Sequence, residues 1–267
     1  MPLSRILRGA RNFRRVMTLF WNSRYQQKYD LQLSMTQIKV HFPDRNSVYS
    51  YMHHFFHHSL PEHLRNHREY FKQDNRGFGE DAFHSLWYFI FKEIKPKKVL
   101  EIGVYRGQIL SLWMLLSNIL QLATEIHGIS PLSPAGDEAT NYPDLDYLQD
   151  IKNNFSYFAL PLPHLHKGYS TDNNIVQFIL SKKWDLIYVD GNHNYEIVKH
   201  DFDISSSSLK EHGLIILDDS AKFTDFKAPL YAFAGHEGPS RVASEIDRKT
   251  FQEIIGVGHN RVFQRTY

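Results

Sequence analysis

The sequence contains no cysteine. This absence excludes disulfide bonds, zinc sites with thiolate ligands and cysteine nucleophiles. Any metal site must therefore use oxygen or histidine ligands. A chain without thiols is compatible with a reducing compartment, and we expect a cytoplasmic protein.

The sequence also lacks a long apolar run and a strong excess of one charge. No segment approaches the roughly 20 apolar residues that a membrane-spanning helix needs. The formal net charge is only +2 over 267 residues, whereas domains that bind nucleic acid usually carry a clustered basic excess. We therefore expect no nucleic-acid partner.

One local cluster of charge lies at the N-terminus, where no acidic residue precedes Asp30. Six arginines alternate with apolar residues between Met1 and Gln27, which predicts a basic amphipathic helix. Such a helix can lie on an anionic membrane surface, dock on a partner, act as an organellar presequence, or pack on its own domain or a second subunit. The sequence therefore leaves two roles of this helix open, peripheral contact with a membrane and formation of a homo-oligomer.

From residue 77 onward, short strands alternate with helices. This alternation predicts right-handed βαβ units and a Rossmann-like, doubly wound, mostly parallel α/β sheet with helices on both faces. Residues 1–76 are predicted to form an N-terminal helical extension, and residues 77–267 the α/β domain. The predicted strands are 98–103, 125–130, 165–168, 185–190 and 214–218, with a closing antiparallel pair after residue 250 and helices that include 81–93, 107–124 and 195–209.

Two apolar runs end in acidic residues, the first at Asp190 and the second at Asp218 and Asp219. If the runs are neighbouring parallel strands, their carboxyl ends meet at the edge of the sheet where α/β folds bind ligands. Three crowded carboxylates repel one another unless a cation or protons neutralise them. The arrangement therefore predicts a divalent cation such as Mg²⁺, with Asp190, Asp218 and Asp219 as its ligands.

His193 follows Asp190 by three residues and reaches the same space. Histidine titrates near neutrality, so His193 is the predicted general base. Other roles stay open, because Asp190 or Asp219 could bond to loop amides and His193 could be a structural histidine held by Asp218.

The sequence also predicts roles for three further groups of polar residues. The run His53–His58 is predicted to have a structural or surface role, because adjacent histidines point to different faces of a helix. Tyr195, His200 and Asp201 are predicted to be structural helix residues beyond the site. The group Gly258-His-Asn-Arg261 fits either a substrate loop or an ordinary turn.

The first predicted strand leads into a turn that contains Gly103 and Gly107. A dinucleotide fingerprint, G-x-G-x-x-G, is absent because Tyr105 stands at its middle glycine, and no Walker A lysine follows. Gly103 lets the backbone turn tightly and a ligand approach, and Gly107 starts the next helix close to the sheet. A loop without a pyrophosphate cradle suits a nucleoside that carries an amino acid, such as S-adenosylmethionine, although an ordinary turn is the alternative.

Taken in order, three motifs resemble those of the class I S-adenosylmethionine-dependent methyltransferases. More narrowly, they are similar to the metal-dependent sugar O-methyltransferases of the macrocin and mycinamicin type and to the cephalosporin hydroxylase-like branch. The resemblance covers residues 77–220. The motifs are Val99-Leu-Glu-Ile-Gly-Val-Tyr-Arg-Gly107, Asp190-Gly-Asn-His-Asn-Tyr195 and His212-Gly-Leu-Ile-Ile-Leu-Asp-Asp219.

The resemblance implies that the glutamate and glycines of the first motif bind the methionine part and the ribose of the cofactor. It also implies a metal ligand at Asp190 and a base at His193. The family commonly has an acid at the end of the second strand, where this sequence has Ser130. Either Ser130 makes a weaker contact, or Asp137, Glu138 or another group takes the role of that acid. The predicted cofactor-binding residues are Glu101, Gly103, Tyr105, Arg106, Gly107, Ser130, Tyr169, Ser170 and Asp190.

The leading hypothesis is an O-methyltransferase that uses S-adenosylmethionine and Mg²⁺. Its acceptor is expected to be the hydroxyl of a small molecule, a sugar or a glycosylated product above all. The alternative is a non-catalytic binding or scaffold protein that keeps the fold, because fold alone does not determine function.

Overall fold

The computed structural model describes residues 17, 29, 31–135 and 140–267. The predicted basic N-terminal helix lies outside these residues, apart from Met17. The same holds for Asp137 and Glu138, the two acids proposed as ribose ligands.

The described part of residues 31–97 folds into four helices. Two of them start at side-chain caps: Ser34 and Gln37 form a capping box, and the carboxylate of Asp44 accepts a hydrogen bond from the backbone N–H of Ser47. These caps satisfy backbone donors that the first turn of a helix leaves without intrahelical partners. The helices are α1 (Met35–His41), α2 (Arg45–His58), α3 (Glu62–Lys72) and α4 (Asp81–Ile94).

Seven strands form one sheet in the order β3-β2-β1-β4-β5-β7-β6. Strands β1 to β5 are parallel, whereas β7 is antiparallel to both β5 and β6. The predicted mostly parallel sheet with a closing antiparallel pair is therefore confirmed. The strands are β1 (Lys98–Ile102), β2 (Glu125–Ser130), β3 (His164–Lys167), β4 (Trp184–Val189), β5 (Leu209–Leu217), β6 (Phe251–Val257) and β7 (Asn260–Arg265).

Helices connect the strands and cover both faces of the sheet. Alternate residues of β1 show the division. Val99 packs in one buried cluster with the helices between residues 35 and 157, and Leu100 packs in a second with the helices between residues 173 and 245. Strands buried on both faces are apolar throughout, which is why β4 and β5 appear as continuous apolar runs. The connecting helices are α5 (Gln108–Ile119), α6 (Tyr147–Tyr157), α7 (Asn173–Leu180), α8 (Tyr195–Ser208) and α9 (Glu237–Glu245).

Three element boundaries differ from those predicted. Helix α5 ends at Ile119, five residues early, because Gln121 adopts a left-handed conformation (φ 53°). Strand β5 begins at Leu209, immediately after α8. Helix α9 was not predicted, because Gly238 and Pro239 favour a turn; Pro239 lies in the first helical turn, where a missing N–H costs little.

Helices α1 and α2 also pack beside the C-terminal part of the chain. The Lys39 ammonium donates a hydrogen bond to the Glu253 carbonyl on the edge strand β6, at 2.9 Å. The Asn46 side chain bonds to the backbone of Lys227 twice, as donor to its carbonyl (2.7 Å) and as acceptor from its N–H (2.9 Å). The segment after β5, which borders the site described below, is thereby attached to α2.

No helix among the described residues is long and apolar enough to cross a membrane.

Candidate active site

A cavity of about 710 Å³ opens at the carboxyl ends of β1, β2, β4 and β5. This is the edge at which parallel α/β sheets bind ligands, and the volume is in the range of small-molecule sites. The cavity brings together eleven of the twelve predicted site residues. They are Glu101, Gly103, Tyr105, Arg106, Ser130, Tyr169, Ser170, Asp190, His193 and the pair Asp218 and Asp219, with Gly107 the residue that lies elsewhere.

The turn after β1 brings the backbone of two strands into contact. Gly103 has φ 109°, and a Cβ at this position would lie 2.1 Å from the carbonyl oxygen of Asp190. Its N–H donates to the Ile129 carbonyl (3.0 Å), and the Asp190 N–H donates to the Ile102 carbonyl (2.8 Å). A glycine is therefore required here, because any side chain would push the turn away from the tip of β4.

Gly107 and Arg106 have a packing role in the structure. Gly107 is the N-cap of α5, with φ 80°, and a Cβ there would meet Phe155 of α6 at 3.2 Å. The Arg106 guanidinium makes two 2.7 Å hydrogen bonds to the Asp150 carboxylate and one of 2.9 Å to the Asp74 carbonyl. The Arg106 side chain thus holds the turn after β1 against Asp150 and Asp74, while the residue still borders the cavity.

Glu101 is a buried carboxyl group at the cavity wall. It is 3% exposed, and its Oε2 has no hydrogen-bond partner among the described residues. Burial, with a further contribution from the charge of Asp218, raises the pKa of Glu101 to about 8. A buried polar atom without a partner costs free energy, so this oxygen fits a site that receives a polar ligand.

The raised pKa of Glu101 has a consequence for stability. Between about pH 4.5 and pH 8 the unfolded chain loses the Glu101 proton while the folded chain keeps it, so this group makes the ligand-free protein less stable as pH rises through that window. We expect Glu101→Gln to gain stability over wild type from the lower to the upper pH, on the order of 1–4 kcal/mol. Urea unfolding of both proteins across that range measures the difference, and a difference independent of pH would contradict it.

The other predicted cofactor residues follow β2 and β3. Ser130 is buried, and its hydroxyl accepts a hydrogen bond from the Leu132 N–H at 3.1 Å. Tyr169 is half exposed, and its N–H donates to the Asp172 carboxylate at 2.8 Å. The Ser130 hydroxyl therefore holds its own turn while facing the cavity.

Asp201 was expected to be structural and beyond the site, but it lines the cavity. It is 1% exposed, and its Oδ1 has no hydrogen-bond partner within the described ranges. Burial raises the pKa of Asp201 to about 6, although a hydrogen bond with Ser170 opposes the shift. Sequence reasoning placed Asp201 correctly on α8 but gave no information on which way that helix is turned.

Asp190 and Asp218 share a hydrogen bond at the tips of β4 and β5. Burial, followed by the charge of Asp218, raises the pKa of Asp190 well above its ordinary value. Burial disfavours the charged form of Asp218 as well, but the positive charge of His259 and the hydrogen bond from Asp190 lower its pKa. In the ligand-free protein, Asp190 is therefore the protonated member of the pair.

His259 also belongs to this cluster, although the sequence placed it only in a group that fits a substrate loop or an ordinary turn. It lies in the turn between β6 and β7, is 8% exposed, and places Nε2 3.4 Å from Asp218 Oδ1 and 3.6 Å from Asp219 Oδ1. Burial alone would lower its pKa, but the charges of Asp218, Asp219 and Glu80 raise it to about 10. His259 is thus a cation that offsets the two carboxylates.

His193 and His236 contact Oδ2 of Asp219, the carboxylate oxygen that does not face His259. The His193 Nε2 lies 3.1 Å from Asp219 Oδ2, and the His236 Nε2 lies 3.7 Å from it. The two rings stack with their centroids 3.8 Å apart. The structure therefore places His193 beside Asp219, whereas the alternative from the sequence had it held by Asp218.

Two groups of side chains in this cavity offer donor atoms within 4.8 Å of one another: Asp218 with Asp219 and His259, and His193 with Asp219 and His236. Asp190 belongs to neither group. Carboxylate oxygens and imidazole nitrogens are both ligands of divalent cations, so the donor set fits a bound ion.

Comparison with known proteins agrees with this geometry. Residues 100–220 match the model of a family described as a methyltransferase domain. One curated relative, the uncharacterized protein R132 of Acanthamoeba polyphaga mimivirus, is 32% identical over 124 residues, which make up 45% of this chain and 49% of that protein. The aligned part thus spans about half the length of the relative.

Solved structures share the fold at low sequence identity. An O-methyltransferase from Bacillus cereus in complex with SAH has a TM-score of 0.55 at 12% identity, covering 80% of this chain and 95% of that one. The SAH-bound methyltransferase PaMTH1 of Podospora anserina has a TM-score of 0.53 at 18% identity, covering 78% and 89%. The O-methyltransferase TomG of Streptomyces achromogenes, solved with SAM, has a TM-score of 0.51 at 13% identity, covering 80% and 95%. The chain therefore has the fold of these methyltransferase structures, and residues 100–220 resemble a methyltransferase domain.

Proposed function

We propose that this chain transfers the methyl group of S-adenosylmethionine to a hydroxyl of a small molecule, with the help of a divalent cation. The observation that carries the proposal is that the Gly103 turn and the acidic tips of β4 and β5 face one cavity. In the reaction the methyl carbon leaves the sulfonium sulfur and bonds to the acceptor oxygen. The hydroxyl proton must pass to a base, and S-adenosylhomocysteine is released.

The cofactor fits the first part of the cavity. S-adenosylmethionine carries an ammonium group, a carboxylate and ribose hydroxyls, all of which need hydrogen-bond partners when buried. The orphan oxygens of Glu101 and Asp201 can accept hydrogen bonds from such groups. The Gly103 backbone offers a surface that a ligand can approach closely.

The cation fits the second part, where Asp190, Asp218 and Asp219 meet. A divalent cation in contact with a hydroxyl lowers its pKa and holds it in position. The carboxylates of Asp218 and Asp219 would hold the ion, with Asp190 able to join once it loses its proton. Mg²⁺ is the ion that the resemblance implies.

His193 is the proposed base. It lines the cavity beside Asp219, and its contact with Asp219 orients the imidazole. A base that is held in place and lies next to the activated hydroxyl can remove its proton during methyl transfer.

The acceptor is proposed to be a sugar or a glycosylated product, on the strength of the motifs that resemble sugar O-methyltransferases. Three aromatic residues of the cavity wall, Phe78, Tyr169 and Phe233, are half exposed and can pack against an acceptor. The hydroxyl would enter beside His193.

Calorimetry with S-adenosylmethionine, with and without Mg²⁺, tests the proposal. We expect wild type to bind the cofactor and Glu101→Ala to bind it at least about tenfold more weakly, because a hydrogen bond to a charged group is lost. Glu211→Ala, at an exposed site at the opposite end of β5, is the matched control. A wild-type protein that binds no S-adenosylmethionine would favour the non-catalytic scaffold instead.

A further inference from the structure

We infer that His259 is a ligand of the proposed cation, together with Asp218 and Asp219, and that this mixed nitrogen and oxygen site prefers a transition metal such as Mn²⁺ to Mg²⁺. The inference rests on the proposed function, since it concerns the ion of the same site. Neither the motifs nor the sequence spacing assigns a metal-binding role to His259.

The donor atoms already have the separation of ligands to one ion. Two ligand atoms about 2.1 Å from an ion, at an angle of about 90–110°, lie about 3.0–3.4 Å apart. The His259 Nε2 is 3.4 Å from Asp218 Oδ1 and 3.6 Å from Asp219 Oδ1. An ion that displaces the proton from His259 Nε2 can therefore be accommodated with shifts of a few tenths of an ångström.

The imidazole is held in the orientation that a metal ligand needs. Its Nδ1 donates a hydrogen bond to the Phe233 carbonyl at 3.0 Å, which directs Nε2 toward the carboxylates. Metal-binding histidines usually donate their second N–H to a carbonyl or carboxylate in this way. Edge-on contact with Phe83, with ring centroids 4.6 Å apart, further restricts the ring.

Asp218 supplies an independent observation. Its Oδ1 is buried, and apart from the 3.4 Å ion pair with His259 Nε2 it has no hydrogen-bond partner in the described part of the chain. Nearly all buried carboxylate oxygens have a partner, so this atom fits one that a bound ion completes. Imidazole nitrogen suits Mn²⁺, Fe²⁺ or Zn²⁺, whereas Mg²⁺ strongly prefers oxygen, which is why the donor set favours a transition metal.

Two other groups of histidines with a carboxylate are less suited to a divalent cation, because lysine or arginine side chains already neutralise the carboxylate. In the group of His53, His57 and Asp81, the carboxylate already binds Lys72 at 2.9 Å and Arg68 at 3.3 Å. In the group of Glu125, His127 and His164, the carboxylate binds Lys98 at 3.1 Å and Lys182 at 3.4 Å. These fixed cations repel a divalent ion, whereas the charge partners of Asp218 and Asp219 are histidines.

Pulsed electron paramagnetic resonance of the full-length protein with bound Mn²⁺ tests the inference. We expect the ¹⁴N modulation of a coordinated imidazole in wild type and its loss in His259→Asn. The Asn amide lies near the position of Nδ1 and can still donate to the Phe233 carbonyl, so this variant removes Nε2 with little other change. We also expect His259→Asn to weaken Mn²⁺ binding at least about tenfold and Mg²⁺ binding less.

The matched control is His212→Asn, at an exposed left-handed position that asparagine tolerates. The double variant His193→Gln/His236→Gln must keep the nitrogen signal, which tests the inference even if His259→Asn fails to fold. Loss of the signal in that double variant, its persistence in folded His259→Asn, or its absence from metal-bound wild type would each overturn the role of His259. A wild-type protein that binds neither ion and methylates in the presence of EDTA would instead refute the proposed cation.

Discussion

Replacing Asp219 by asparagine is expected to lower kcat at least about 100-fold, because it removes a charge on which both the proposed cation and the proposed base depend. One carboxylate oxygen faces His259 and the other faces His193 and His236. Neutralising the side chain therefore weakens ion binding and leaves His193 without its orienting partner. Single-turnover assays over a range of Mn²⁺ or Mg²⁺ concentrations separate the two effects.

Asparagine is the right substitution at this position. Asp219 has φ 50°, a left-handed conformation that asparagine tolerates and alanine does not. The Asp219 carbonyl also accepts a hydrogen bond from the His236 N–H at 2.8 Å, which the change leaves intact. Asp203→Asn, at an exposed position of α8, is the control. An Asp219→Asn protein with more than about a tenth of wild-type kcat would contradict the assignment.

Replacing His193 by glutamine is expected to lower kcat by about 10²–10⁴-fold while S-adenosylmethionine still binds. The side chain removes the proton in the proposed reaction but contacts Asp219 rather than the residues proposed to bind the cofactor. The loss should therefore appear in kcat rather than in the dissociation constant of the cofactor. Steady-state kinetics combined with calorimetry on the same preparation measures both.

A purely structural His193 would give a different pattern. Loss of its contact with Asp219 would then lower thermal stability and cofactor affinity together with the rate. His212→Gln, on the exposed start of β5, is the control for a change of the same type away from the cavity. A fully active His193→Gln enzyme would remove the base assignment.

Much of the fold follows from sequence pattern, because strands buried on both faces must be apolar along their whole length. The runs that end at Asp190 and Asp218 are such strands, and their parallel pairing brings the two acids together at one edge. The same reasoning explains why the Gly103 turn faces them. These features depend only on short segments whose apolar pattern and end residues are visible in the chain.

His259 could not be predicted in the same way. It lies 40 residues after Asp219, and the two meet only because β7 returns antiparallel to β5, with Leu217 paired to Arg261. That register places the turn before β7 beside the tip of β5. A period-two pattern identifies a strand but not the strand that pairs with it. The sequence therefore did not show that the turn containing His259 lies beside the tip of β5.

Asp201 illustrates a second limit. Its helix was predicted within one residue at each end, yet the side chain faces Ser170 and the cavity rather than an ordinary buried surface. The direction in which a helical residue points depends on how the whole helix lies on the sheet. A single sequence shows which residues share a face of the helix but not what that face contacts.

The close contact between Gly103 and the Asp190 carbonyl joins two functional halves into one piece of main chain. In the proposed reaction, the loop facing the methyl donor and the strand tip facing the acceptor cannot drift apart, because hydrogen bonds from Gly103 and Asp190 hold both to the sheet. The distance that the methyl group must travel is then a property of the backbone. In the proposed reaction, substitutions of the side chains around the cavity would change the acceptor while the transfer distance stays constant.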